Sequence, residues 1–185
     1  MDIDSSGVNP SAPTGDTRTA VVVSALNASR TASAQEQILL PCISSSTAGA
    51  KALSAGTVLM PAGKFSRVHY HAVSEIIVVC LTGNAASLIG PTLEPRFHGP
   101  GEFIYIPPGV FHAGVNLSRV EGIVGVEART DPAFNDDVVT VPELDELAAV
   151  RSAELQDLFE NGKLPMNNAF RASDGSLPGW PQPTA

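Results

Sequence analysis

The chain is poor in several things, and each shortage excludes a class of function. Across 185 residues it has two cysteines, one tryptophan, two tyrosines and four histidines. Two cysteines cannot make the disulfide framework of a small secreted scaffold. Cys42 and Cys80 sit in apolar segments without a nearby base and read as small buried hydrophobes. Basic residues are outnumbered, eleven against nineteen acidic, for a net charge of −8, and they form no cluster. The positive footprint of a nucleic-acid binder is missing, and so is the attraction to an anionic membrane surface. No apolar run approaches the length that crosses a bilayer. The start, Met-Asp-Ile-Asp, carries neither a basic segment nor an apolar signal core, so a cytoplasmic location is expected.

Glycine and proline are plentiful instead, at sixteen and fifteen residues. They separate short apolar segments at 57–60, 76–81, 85–89, 103–106 and 122–126, the pattern of a β-sandwich or barrel. The length predicts one domain with a core large enough to fold alone. Residues 1–19 are too polar to order themselves. The β-barrel is expected over 20–141, with a short strand at 20–24 and another at 35–43, and a loop over 44–56. From Pro142, a proline and acids in the first turn, an apolar stripe (Leu144, Leu147, Ala148, Leu155, Leu158, Phe159) and Asn161-Gly162 predict an amphipathic helix over 142–162. It is expected to pack outside the barrel or against a partner. Residues 163–185 read as an irregular tail that Trp180 pins to the surface.

Three of the four histidines fall into two spaced motifs. The first is Gly63-x5-His69-x-His71-x3-Glu75; the second is Gly101-x5-Pro107-x-Gly109-x2-His112-x3-Asn116. On a strand His69 and His71 point to the same side, roughly 6.6 Å apart. Pro107-Pro108-Gly109 breaks the strand 103–106, and His112 opens the return strand. Three imidazoles and a carboxylate form a mixed nitrogen/oxygen set suited to a divalent transition metal.

Both motifs resemble those of the cupin superfamily, in particular its small, single-domain, RmlC-like bacterial members. The second motif agrees throughout; in the first, Gly83 arrives one residue late. The likeness spans about residues 50–130. It implies an all-β fold, a double-stranded β-helix or jelly-roll barrel, with His69, His71, Glu75 and His112 as metal ligands and a homodimer as the assembly. Iron(II) is the first expectation, with manganese(II), nickel(II) and zinc(II) also suited to the donors.

Strand alternation extends the site. Arg67 shares the side of His69 and His71 and is expected inside, facing a substrate carboxylate or enolate. Tyr105 is the candidate proton donor. From Glu75, alternation puts Ile77, Val79 and Leu81 on the barrel wall and Cys80 on the far side. His98 reads as a surface hairpin residue. The first functional expectation is an oxygenase of dioxygenase type, acting on a metal-chelated small organic acid or a phenolic or diketone-like compound. It suits a pocket with few acid–base groups. The alternatives are a metal-dependent isomerase or lyase, which needs a placed base, and a non-catalytic small-molecule binder.

Overall fold

The computed structural model describes residues 20–35, 37–164 and 166–169. The expected tail at 1–19, and Trp180 with most of the second tail, lie outside the described residues. Among the described residues eleven strands run in chain order: β1 Thr31–Ala32, β2 Ile38–Ile43, β3 Ser54–Met60, β4 His69–His71, β5 Ile76–Thr82, β6 Ala85–Ile89, β7 Glu94–His98, β8 Phe103–Ile106, β9 His112–Asn116, β10 Ile123–Arg129 and β11 Val138–Thr140. They form two antiparallel sheets, ordered β1-β2-β3-β10-β5-β8 and β11-β4-β9-β6-β7. The expected strand at 20–24 is absent; a 3-10 turn at Ala25–Asn27 follows instead. The expected loop over 44–56 contains a four-residue helix, α1 Ser45–Ala48, closed by a capping box between Ser44 and Thr47.

Strands β3 and β5 alternate as a two-faced sheet requires, whereas β6 and β9 are buried on both faces. On β3, Ser54, Gly56, Val58 and Met60 are buried, while Ala55, Thr57 and Leu59 are half-exposed. On β5, Ile76 and Cys80 are buried, while Ile77 and Leu81 meet solvent. The space between the sheets is therefore lined by Val58, Met60, Ile76, Val78, Cys80 and Ile106.

A second core lies outside the barrel. Helix α2, Asp145–Glu160, buries Ala148 and Leu155 against Ala86, Leu88, Ala113 and Val115 of the five-stranded sheet. Leu144, Leu147 and Phe159 pack at its margin, whereas Leu158 is exposed. Burial of that apolar face fixes the helix in place. Pro142–Leu144 forms a 3-10 turn rather than the first helical turn. Gln156 Nε2 donates to the Asn116 carbonyl at 2.9 Å, and Arg119 pairs with Asp157 and Glu160 at 2.8 Å each. No helix among the described residues is long and apolar enough to cross a membrane.

Candidate metal centre

His69 and His71 stand two residues apart on β4, and His69 lies opposite His112 on β9. That pairing, with the two-residue alternation of β4, brings three rings onto one interior face. Ring centroids are 4.2 Å apart for His69–His112, 5.5 Å for His69–His71 and 5.6 Å for His71–His112. The turn before β9 is set by Gly109, whose φ of +74° suits glycine and whose amide donates to the His71 carbonyl at 2.8 Å. Asn116, the last residue of the second motif, ties loops rather than touching the rings. Its Nδ2 donates to the Met60, Pro61 and Glu121 carbonyls.

Each ring is held from behind through Nδ1. His69 Nδ1 lies 2.9 Å from the Arg67 carbonyl, and His112 Nδ1 lies 2.9 Å from the Val110 carbonyl. Against carbonyl acceptors both Nδ1 atoms carry the proton, which leaves Nε2 with its lone pair. His71 Nδ1 is 3.0 Å from the Asp137 carboxylate. Asp137 also accepts the Val73 and Ser74 amides at 3.0 and 2.8 Å. Burial alone would raise the Asp137 carboxyl, but those amides and His71 hold it below the usual carboxylate range.

The front atoms of the three rings converge. One ligand atom from each of His69, His71 and His112 lies within 4.8 Å of the other two, and all three residues are buried. His71 Nε2 is buried with no hydrogen-bond partner among the described residues. An orphaned buried imidazole nitrogen is costly unless something binds there. Burial lowers all three histidine pKa values, that of His112 to about 4; the neighbouring His112, His71 and Arg129 add to this for His69, and Arg129 does so for His71 against Asp137 and Glu127. The rings are therefore neutral at pH 7, the form that ligates a metal. Carbonyls and a carboxylate behind, free Nε2 atoms in front: this arrangement fits a metal ion.

Three other expected site residues lie elsewhere. Glu75 is exposed, and its carboxylate accepts a 3.0 Å hydrogen bond from the Tyr105 hydroxyl on the outside of the six-stranded sheet. Tyr105 is 54% exposed, opposite outward-facing Ile77, and the Glu75 carboxylate holds its phenol above the usual range. Arg67 precedes β4, where strand alternation does not yet apply. Its guanidinium pairs with Asp145 at the start of α2, Nε at 2.9 Å and Nη2 at 2.8 Å. Arg67 serves the site through its backbone carbonyl alone.

The late Gly83 marks where β5 departs from the expected alternation. Gly83, with a φ of +87°, makes the turn that ends β5. In the motif six residues separate the glutamate from this glycine, and seven positions before Gly83 stands Ile76 rather than Glu75. Ile76 is buried and faces the cavity, so the whole strand is flipped relative to expectation. Cys80 consequently points inward; burial pushes its thiol up to about 11, which keeps it protonated. Cys42 and Cys80 are both free thiols.

Further inward-facing polar groups come from strands the motifs do not include. Glu127 on β10 lines the cavity, buried, with Arg129 Nε 2.6 Å from its Oε1. Arg129 is also buried, donates to the Asn135 side chain, and lies 4.5 Å over the Phe134 ring. His98 on β7 is buried, not on a surface hairpin, with Nε2 3.0 Å from Ser87 Oγ. Its Nδ1 has no partner among the described residues. Burial lowers its pKa, so it too is neutral. The free space among these groups is about 70 Å³, room for a few water-sized molecules or the reacting end of a small substrate.

No family model and no curated protein matches the chain. Solved structures do. The polyketide cyclase RemF from Streptomyces resistomycificus superposes over 74% of this chain and 99% of its own, at a TM-score of 0.59 and 17% identity. A cupin-like protein from Thermotoga maritima covers 68% of this chain and 92% of its own, at a TM-score of 0.54 and 15% identity. The chain has the cupin fold. A double-stranded β-helix protein from Klebsiella pneumoniae agrees over 66% of this chain and 98% of its own, with a TM-score of 0.52 and 14% identity. At these identities the likeness concerns the fold, and any chemistry rests on the residues of this cupin barrel.

Proposed function

We propose that this cupin is a metal-dependent enzyme. It holds one divalent transition ion on His69, His71 and His112 and moves protons on a small organic acid or phenolic compound inside the barrel, as an isomerase or lyase. The carrying observation is the convergence of three neutral imidazoles whose Nδ1 atoms are all anchored, leaving His71 Nε2 orphaned. An all-imidazole face fits zinc(II), iron(II) and nickel(II). A divalent ion there supplies a Lewis acid for a substrate carbonyl or hydroxyl.

His98 supports proton transfer over oxygen chemistry. It lines the same cavity, is neutral, and has an unpartnered Nδ1. It accepts a proton from a substrate C–H or O–H and returns it to the product, so no electrons are gained or lost. Ser87 orients the ring through Nε2. The apolar wall of Val58, Met60, Ile76 and Ile106 excludes bulk water.

An oxygenase is the second reading. It is favoured by the three-histidine face, which leaves positions for both a chelating substrate and dioxygen. A panel of small keto, hydroxy and phenolic acids tests the two in deuterated buffer with an oxygen electrode. Deuterium incorporation without oxygen consumption supports the isomerase or lyase reading; oxygen uptake matched to substrate loss overturns it in favour of the oxygenase. The expected homodimer is likewise proposed, across the apolar outer face of β5 and β8.

A further inference from the structure

The fold leaves the metal centre without the carboxylate expected from the first motif. Glu75 is outside, bonded to Tyr105, and the inward position is taken by Ile76. The neighbouring strand fills the gap. β10 pairs with β5 so that Arg129 lies opposite Ile76 and Glu127 opposite Val78. Glu127 is thus the diagonal neighbour of Ile76, about 7–8 Å away between backbones, on the same inward face.

Glu127 alone among the carboxylates of the described residues lines the cavity. Its charge acts on both His71 and His112, and the charge of Arg129 acts in the opposite sense on all three histidines. Arg129 holds it in place, and is held in turn by Asn135, which is bonded to Gln35. Burying an ion pair costs desolvation that a hydrophobic pair would avoid. Structural need is weak here as well, since the surrounding wall is apolar. A pair retained at that cost beside three converging imidazoles points to a use for its carboxylate.

We infer that Glu127 is the carboxylate of the metal centre, moved from β5 to β10 and fixed by Arg129. It lowers the free energy of the bound cation, either by field or through a water on the ion. The inference rests on the reading that the three histidines bind a metal.

Cobalt(II) titration of the full chain, followed by visible absorbance, tests it. Glu127→Gln alone leaves Arg129 buried and unpaired and endangers folding, so the deciding variant is Glu127→Gln with Arg129→Met, which removes both charges. It is expected to bind cobalt on the order of 10–100-fold more weakly than wild type, the usual cost of losing a group that supports the ligands. Glu75→Gln is expected to bind within about twofold of wild type, as an exposed side chain should. Adding Ile76→Glu to the double variant places a carboxylate at the inward position of β5 and is expected to recover binding. Wild-type affinity in the double variant would overturn the inference, and so would an equal loss in Glu75→Gln. Absence of histidine-dependent cobalt binding in the wild type would instead overturn the metal reading, and this inference with it.

Discussion

The two sheets are finished differently on their outer faces. Behind the five-stranded sheet, α2 seals Ala86, Leu88, Ala113 and Val115 completely. Behind the six-stranded sheet, Ile77, Leu81, Phe103 and Tyr105 stand in solvent, Phe103 at 71% exposure. The sealed sheet carries the three histidines, whose positions require β4 and β9 to stay in register. The bare sheet carries the carboxylate, and its strand β5 is apolar on both faces. Where both faces are apolar, hydrophobic alternation no longer distinguishes inside from outside. A single-residue offset then flips every side chain of the strand. In Ile76–Thr82 that offset puts Ile76 and Cys80 inside and Ile77 and Leu81 outside.

The largest way to break this comparison is at the sealed face. Leu155→Ala removes a buried contact between α2 and the sheet and should lower unfolding stability by about 2–4 kcal/mol, measured by chemical denaturation. An effect below about 1 kcal/mol would show that the helix is not held by this packing.

Acid acts next. In the metal-free protein the folded-state pKa values of His69, His71 and His112 lie below 6.5 through burial, so the unfolded chain binds protons first as pH falls. Stability is therefore whole above pH 6.5 and is lost below it, by up to about 1.4 kcal/mol per pH unit for each histidine. For His112 the loss continues to about pH 4. Bound metal should leave in the same range, as protons compete for Nε2. Thermal melts of metal-free protein from pH 7 to pH 4 check the sign; stability that is flat or rising toward acid contradicts it.

The smallest effect on stability belongs to the bare face. Phe103→Lys should change unfolding free energy by less than about 0.5 kcal/mol, yet convert a dimer to a monomer in sedimentation, since a charge there opposes burial. An unchanged sedimentation coefficient would remove that face as the contact between copies.

The fold and three quarters of the expected ligand set were legible for local reasons. Ala85–Ile89 and Phe103–Ile106 are bounded by turn residues at both ends, and the structure places those strands at the expected limits. His69, His71 and His112 are legible because HxH spacing and strand alternation work within a few residues. Asp137, Glu127 and Arg129 are not, because their nearness to the rings arises from pairings 40 or more residues distant in sequence: β10 with β5, and β11 with β4. The run Gly125-Val126-Glu127-Ala128-Arg129 looks like an amphipathic strand with its charges outward. The structure turns those charges inward. A Glu-x-Arg pair in an otherwise apolar strand is the local sign that was available, together with the displaced Gly83.

The central claim is that His69, His71 and His112 hold a metal ion. Elemental analysis of untagged protein, purified without chelators and under nitrogen, tests it most directly when wild type and His71→Ala are compared. The account predicts about one divalent ion per chain in the wild type and loss of most of it in the variant. Full metal retention in His71→Ala, or a metal-free wild type that stays empty after reconstitution, would contradict it.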